Sequence, residues 1–515
     1  MEGHHQEPQA DHYDAVVIGS GFGGVSAAAL LARAGLSVLL CERAEGFGGY
    51  GHTIRRGDYT FDPAVRISYS GGADGLFSAV LRHVGTADQV QMIEVARMFD
   101  VALPDGRRIK APASLDGLIE AHATVFPGSA AGIESFFRMC QTMHEQGHAM
   151  PMTLSLRNLD EVAAQFPEYF AHNRLTVDEV AREHIADPEA RGAACASWPY
   201  QGAVPDRLGF IALAQPLMNG AEGTYYSMGG FGVLINAVVS GMEAHGGEAV
   251  AGNGANKIVL ERGRVAGVEL DSGHVVRTGV VVSNADGRET LLGLVGEEHL
   301  PANFVRRMSR LTLSHSAFVA FVGTDLDLGA LDLAHEVFIP SEWDQNTDAA
   351  RISAGEPAGV WVGAPTLVDP QLAPPGEHAM TVSAIAAYDI GRPWSEHAQR
   401  YCDAMLERAE RLLPDLRRHI TFLETATPET LVQFTSNSGG AMYGWEQTPA
   451  QSGTRRLNHQ TPIEGLLLSG QWTLPGSGSL RCFASGVHTA QMVLRSLGAG
   501  EALPGFAAAN LPELD

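Results

Sequence analysis

Short apolar runs alternate with longer helical patterns along the first fifty residues. Asp14 to Gly19 (D-A-V-V-I-G) is a buried strand by its pattern. Val25 to Ala34 is Ala/Leu-rich with no breaker and predicts a helix, and Ser37 to Glu42 predicts a second buried strand. Together they form a βαβ unit. Val233 to His245 is an amphipathic helix ended by Gly246-Gly247. Lys257 to Leu260, Val265 to Leu270 and Val275 to Val282 predict a three-strand meander, turning at Arg262-Gly263 and Ser272-Gly273. Further strands are expected at Ala317 to Val322, Val360 to Gly363, Met380 to Ile385 and Gly465 to Ser469. Helices are expected at His397 to Leu413 and Ser485 to Leu497. Between Phe126 and Met218 the pattern is helical but broken by prolines, and it carries many aromatic residues, so a helical insertion is expected. Met1 to His12 reads as a disordered leader without an apolar core.

Composition narrows the classes. A chain of 515 residues implies more than one domain. The net charge of −24 lowers the expectation of a nucleic-acid partner. The pairs Arg55-Arg56 and Arg417-Arg418 read as solvated surface. Five cysteines without a C-x-x-C pair argue against a disulfide framework or a metal site and for a reducing cytoplasm. No apolar run is long enough to span a membrane, while peripheral membrane contact stays open. Oligomeric state is not legible.

The first βαβ unit carries G-x-G-x-x-G at Gly19, Gly21 and Gly24. The first glycine permits the tight turn, the second lets backbone approach a pyrophosphate, and the third lets helix and strand pack closely. The helix start between them offers N–H groups and a positive dipole end to phosphates. Glu42 ends the next strand, where an acid accepts hydrogen bonds from a ribose diol. Ordinary turns also use glycine, but here strand, helix and acid all stand in place.

After Glu42 come Arg43, then Gly48-Gly49, then Gly57-x-x-x-Phe61-Asp62. This extension resembles the FAD-dependent oxidoreductases of the amine oxidase and phytoene desaturase superfamily. The resemblance continues at Met228 to Gly232, Ser283-Asn284-Ala285-Asp286, Pro365 to Gly376 and Gly470 to His488. Gly440 to Trp445 and Thr461-Pro462-Ile463-x-Gly465 lean toward the carotenoid isomerase and retinol saturase branch. The resemblance implies an α/β fold: a Rossmann-type, glutathione-reductase-like FAD-binding domain with an interleaved α+β substrate domain and a helical insertion. FAD-binding parts are expected at 1–98, 226–310 and 456–515, and substrate-domain parts at 99–225 and 311–455. FAD contacts are expected from Gly19, Gly21, Phe22, Gly23, Gly24, Glu42, Arg43, Gly48, Gly49, Ala255, Asn284, Gly470, Gly478, Ser485, Gly486 and Val487. A helix start near Ala484 to Gly486 would face the flavin.

The implied activity is hydride transfer between a C–C bond of a lipophilic or conjugated substrate and the flavin, as desaturation, isomerisation or saturation. Oxidation of a smaller amine or carboxylate is the alternative chemistry, and a non-catalytic FAD-binding protein is the alternative class. Two residues depart from the family pattern. Arg66 and Arg481 stand where neutral or small residues are usual. Either or both could hold a carboxylate or phosphate of the substrate, pair with an acid such as Asp62, or contact the cofactor. His52 is a candidate facing flavin or substrate, against a satisfied loop residue. Tyr225, Tyr443 and Trp445 are candidate pocket walls, against ordinary core aromatics. Cys482 is a flavin anchor, a redox thiol or a small filler.

Overall fold

The computed structural model describes residues 6–149 and 159–504. Its centre is a five-stranded, all-parallel sheet. The strand order is Glu248–Val250, Val38–Cys41, Ala15–Ile18, Val281–Ser283 and Leu466–Leu468. Both faces of this sheet are covered, so its strands are continuous apolar runs rather than alternating ones. The helix Phe22–Arg33 follows the first strand, and helices Phe231–Ala244 and Ser479–Leu497 pack against it.

That packing depends on missing side chains. A Cβ on Gly486 would lie 2.0 Å from Ser26 Oγ and 2.2 Å from the Gly23 carbonyl oxygen. A Cβ on Gly24 would lie 1.9 Å from the Gly19 carbonyl oxygen. Ser26 Oγ donates to the Phe483 carbonyl at 2.9 Å and ties the two helices where the glycines let them meet.

A seven-stranded sheet forms the second layer. Its order is Ile420–Ala426, Ser316–Thr324, His378–Ala386, Val360–Gly363, Glu336–Ile339, Arg97–Ala102 and Arg108–Pro112, with one parallel pairing between Glu336–Ile339 and Arg97–Ala102. Its side chains alternate between two cores. Val337, Ile339, Val360 and Val362 pack toward the helix Trp394–Ala409. Phe338 and Trp361 point the other way, into the helical insertion. That insertion begins at Leu115–Val125 and ends with Phe210–Ala221.

Three expectations need correction. Val275 to Val282 is not one strand. Val275–Arg277 closes the meander, and Val281–Ser283 joins the parallel sheet after a break at Thr278-Gly279. The last helix starts at Ser479, six residues before Ser485, because Gly478 at φ 104° turns the chain into it. Part of the supposed leader is docked: Gln9 N–H donates to the Glu248 carboxylate, and Arg277 N–H to the Asp11 carbonyl. Met1 to His5 lie outside the described residues. Among the described residues, no helix is long and apolar enough to cross a membrane.

Burial holds His122, His335 and His459 down at about 4. The folded chain therefore keeps them neutral where the unfolded chain is protonated. Stability is full above about pH 6.5 and falls as pH drops from there toward 4. Melting temperatures measured across this window are expected to fall on acidification, less so in His459→Gln. Separately, Gly486→Val is expected to cost about 1–3 kcal/mol by overpacking, read as a lower melting temperature than wild type.

Candidate functional site

The carboxyl ends of the parallel strands open into a cavity of about 420 Å³. Gly19, Gly21 and Phe22 form its floor, at the start of the helix Phe22–Arg33. Gly21 is the N-cap and no side chain caps the helix, so its first N–H groups are left for a ligand. Asn284 wedges its amide among the glycines. A Cβ would lie 2.7 Å from Asn284 Nδ2 at Gly21, 2.7 Å from its Oδ1 at Gly23, and 2.3 Å from its Oδ1 at Gly470.

Glu42 stands at the end of the second strand and lines the cavity. Its carboxylate accepts from Ser20 N–H at 2.8 Å, Ser20 Oγ at 2.6 Å and Ala44 N–H at 2.9 Å. These bonds fix the group and still leave a lone pair on Oε1 for a ribose hydroxyl. Ser20 Oγ also accepts from Gly48 N–H at 2.9 Å, which draws the Gly48-Gly49 segment onto the cavity. Arg43 reaches across the outer end: it donates to the Ala255 carbonyl at 3.1 Å and Ser436 Oγ at 3.3 Å, and meets Asp271 at 3.4 Å.

Beyond this cavity lie two smaller chambers of about 110 Å³ each. The first is walled by Val65, Ile67, Tyr69, Tyr200, Trp361, Met442 and Tyr443, with Gly478 and Ser479 at the start of the last helix. The second lies between the insertion and the loop Leu474 to Gly476. Arg481 lines both.

The sequence-predicted residues divide. Gly19, Gly21, Phe22, Glu42, Arg43, Gly48, Gly49, Ala255 and Asn284 all line the large cavity. Gly478 lines the first small chamber. Gly23, Gly24, Gly470, Ser485, Gly486 and Val487 line none of the three. They sit behind the wall, where Gly470 N–H donates to Ser485 Oγ at 2.9 Å and Val487 packs in the core. The reason is the early helix start at Ser479, which carries Ser485 to Val487 into a buried turn.

Arg66 is buried against Glu336, with Nε 3.0 Å from Oε1. Tyr200 donates to the other carboxylate oxygen. The acid is Glu336 rather than Asp62, which instead accepts from Thr53, Tyr226 and Phe231 N–H. Arg66 thus has its charge balanced within the chain. Among the described residues Arg481 pairs with no acid; its Nη2 donates to Gln215 Oε1 at 3.0 Å. His52 faces neither the cavity nor the chambers. It stacks on Phe434 at 4.2 Å and lines an outer groove. Tyr443 walls the first chamber. Tyr225 covers Gly71 and Gly72 outside it. Trp445 is fully buried, donates to the Trp472 carbonyl at 3.1 Å, and is a core residue. Cys482 is a free thiol at the junction of the large cavity, and burial pushes it up to about 12.

Several lining residues escaped sequence reasoning. Gln433 to Asn437, the last turn of the helix Pro428–Thr435 and the two residues beyond it, form a cavity wall. Ser436 takes a left-handed conformation at φ 56°, which the run Ser436-Asn437-Ser438-Gly439-Gly440 could have signalled as a turn. Tyr50 is another, held by the Gly440 and Ala441 carbonyls at 3.3 Å.

The sequence model of the family described as flavin containing amine oxidoreductase matches residues 22–494. Prolycopene isomerase 1 of an Oncidium hybrid cultivar is 26% identical, over 98% of this chain and 87% of the relative. The lycopene-forming phytoene desaturase of Pseudescherichia vulneris is 26% identical, over 94% of this chain and 99% of its own. Among solved structures, a redesigned putrescine oxidase superposes with a TM-score of 0.67 at 13% identity, covering 94% of this chain and 99% of that one. Cyclohexylamine oxidase from Brevibacterium oxydans gives 0.62 at 15% identity, with the same coverage. The fold is the FAD-binding fold of these flavin oxidases.

The glycine cradle, the uncapped helix start and the anchored Glu42 carboxylate fit FAD. Glu42→Gln removes a charged acceptor and is expected to weaken FAD binding about 10- to 100-fold. Fluorescence titration of the apoprotein with FAD measures it.

Proposed function

We propose, as the chain belongs to the flavin containing amine oxidoreductase family, that this FAD-dependent oxidoreductase acts on a C–C bond of an elongated, conjugated lipophilic substrate. The names of its relatives, prolycopene isomerase and phytoene desaturase, support that substrate class. Desaturation is the main reading, with isomerisation its close variant.

The observation that carries the reaction type is the composition of the chambers. Among the described residues, neither is lined by an Asp, Glu, His or Lys. Glu336 lies beneath the first chamber but is tied to Arg66 and Tyr200. Burial holds the phenols of Tyr69, Tyr200 and Tyr443 above their ordinary range, so none is a base at neutral pH. A site without a base cannot activate carbon by removing a proton. Bound FAD would supply a two-electron hydride acceptor or donor, so the carbon need not be deprotonated first; in desaturation the second hydrogen then leaves as a proton to water.

The chain's own residues do the positioning. Gly19, Gly21, Phe22, Glu42, Arg43, Gly48, Gly49, Ala255 and Asn284 would hold the cofactor. The start of the helix Ser479–Leu497 borders the first chamber, where Ser479 Oγ meets Ser68 Oγ at 2.7 Å and no side chain caps the helix. There it would stabilise negative charge. Tyr443, Trp361 and Met442 give flat, apolar walls that exclude water and hold a planar chain.

Anaerobic titration of the holoprotein tests this. Polyenes are expected to bleach the visible flavin band, or to isomerise over the reduced enzyme. Bleaching by amines alone, with polyenes inert in both tests, would remove the proposal.

A further inference from the structure

The second chamber holds two cations without a counter-charge. Arg456 is 3% exposed and spans the carbonyls of Tyr443, Trp445 and Gln471, while its Nε has no partner. Arg481 rests on a neutral amide, that of Gln215. Neither forms an ion pair with an Asp or Glu among the described residues. Ser452, 5% exposed, adds a hydroxyl with no partner. Burial lowers both guanidiniums to about 10, which leaves them charged at neutral pH.

A buried cation is ordinarily paired, because desolvation without a counter-charge is expensive. Two in one small chamber also repel each other. Arg66, the other fully buried arginine, has Glu336, and the buried Glu446 has Arg207. The exception lies where the chamber meets the substrate walls, and Arg481 faces both sides.

We infer that the substrate carries a terminal carboxylate, which enters the second chamber and is bound by Arg481 and Arg456 with Ser452 at its side. The inference rests on the polyene reading above and specifies its substrate class. The conjugated body would lie along Tyr443 and Trp361, while the carboxylate sets how far the chain enters and so which bond is presented. Planar carboxylate geometry matches the guanidinium fork. The cofactor is a poorer counter-ion, since the large cavity is lined by neither arginine.

The test uses the holoprotein, a polyene carboxylic acid and its methyl ester. Binding is followed by perturbation of the flavin spectrum under conditions without turnover. In wild type the acid is expected to bind about 10- to 100-fold tighter than the ester, as for a charge-assisted pair. Arg481→Gln is expected to abolish that ratio while ester binding changes little, and Arg481→Lys to restore part of it. Equal binding of acid and ester in wild type overturns the inference and leaves the polyene reading standing. An unchanged ratio in Arg481→Gln also overturns it, above all if the variant's flavin reduction potential shifts, since the arginine then serves the cofactor. A polyenyl phosphate that binds tighter than the acid overturns the carboxylate assignment. Failure of both acid and ester to bind at all defeats the polyene reading itself.

Discussion

The close approach of the first and last helices is the constraint on which the site depends. Gly23 and Gly486 let them touch, and no residue with a Cβ fits at Gly486 without displacing Ser26 or the backbone of Gly23. Their contact brings the first glycine turn beside Gly470 and leaves just enough room for the Asn284 amide between them. The cavity floor and the wall that carries Arg481 are thus two sides of one joint. A shift of the last helix would move the cofactor cradle and the substrate chambers together.

Charge is handled in two ways within a short distance. Arg66 is locked to Glu336 beneath Trp361 and Tyr200, so it acts as a neutral strut under an apolar wall. Arg456 and Arg481 are surrounded by carbonyls, amides and hydroxyls, which solvate a cation without cancelling it. Carbonyl oxygens make burial of a guanidinium tolerable; they do not remove its field. The same residue type is therefore neutralised beneath one chamber and left charged in the other.

The parallel sheet was legible because buried strands are short apolar runs and the glycine turn has a fixed place after the first of them. Residues lining the cavity through backbone or local geometry, from Gly19 to Gly49, were legible for the same reason. Gln433 to Asn437 were not, because they reach the cavity only once the edge strand Ile420–Ala426 has docked the following helix. The late start expected for the last helix came from reading it at the apolar run instead of at Gly478, whose positive φ sets it. Trp445 shows the limit of composition: an aromatic near a motif is a core residue until its neighbours are known.

The large cavity takes its walls from residues 18–50, 254–294, 433–437 and 471–482. None of these four stretches contains half of it. A ribosome must therefore release nearly the whole protein before the cofactor has anywhere to bind. Flavin uptake would be a late event that certifies assembly, and visible flavin absorbance would report a finished fold as much as a loaded one.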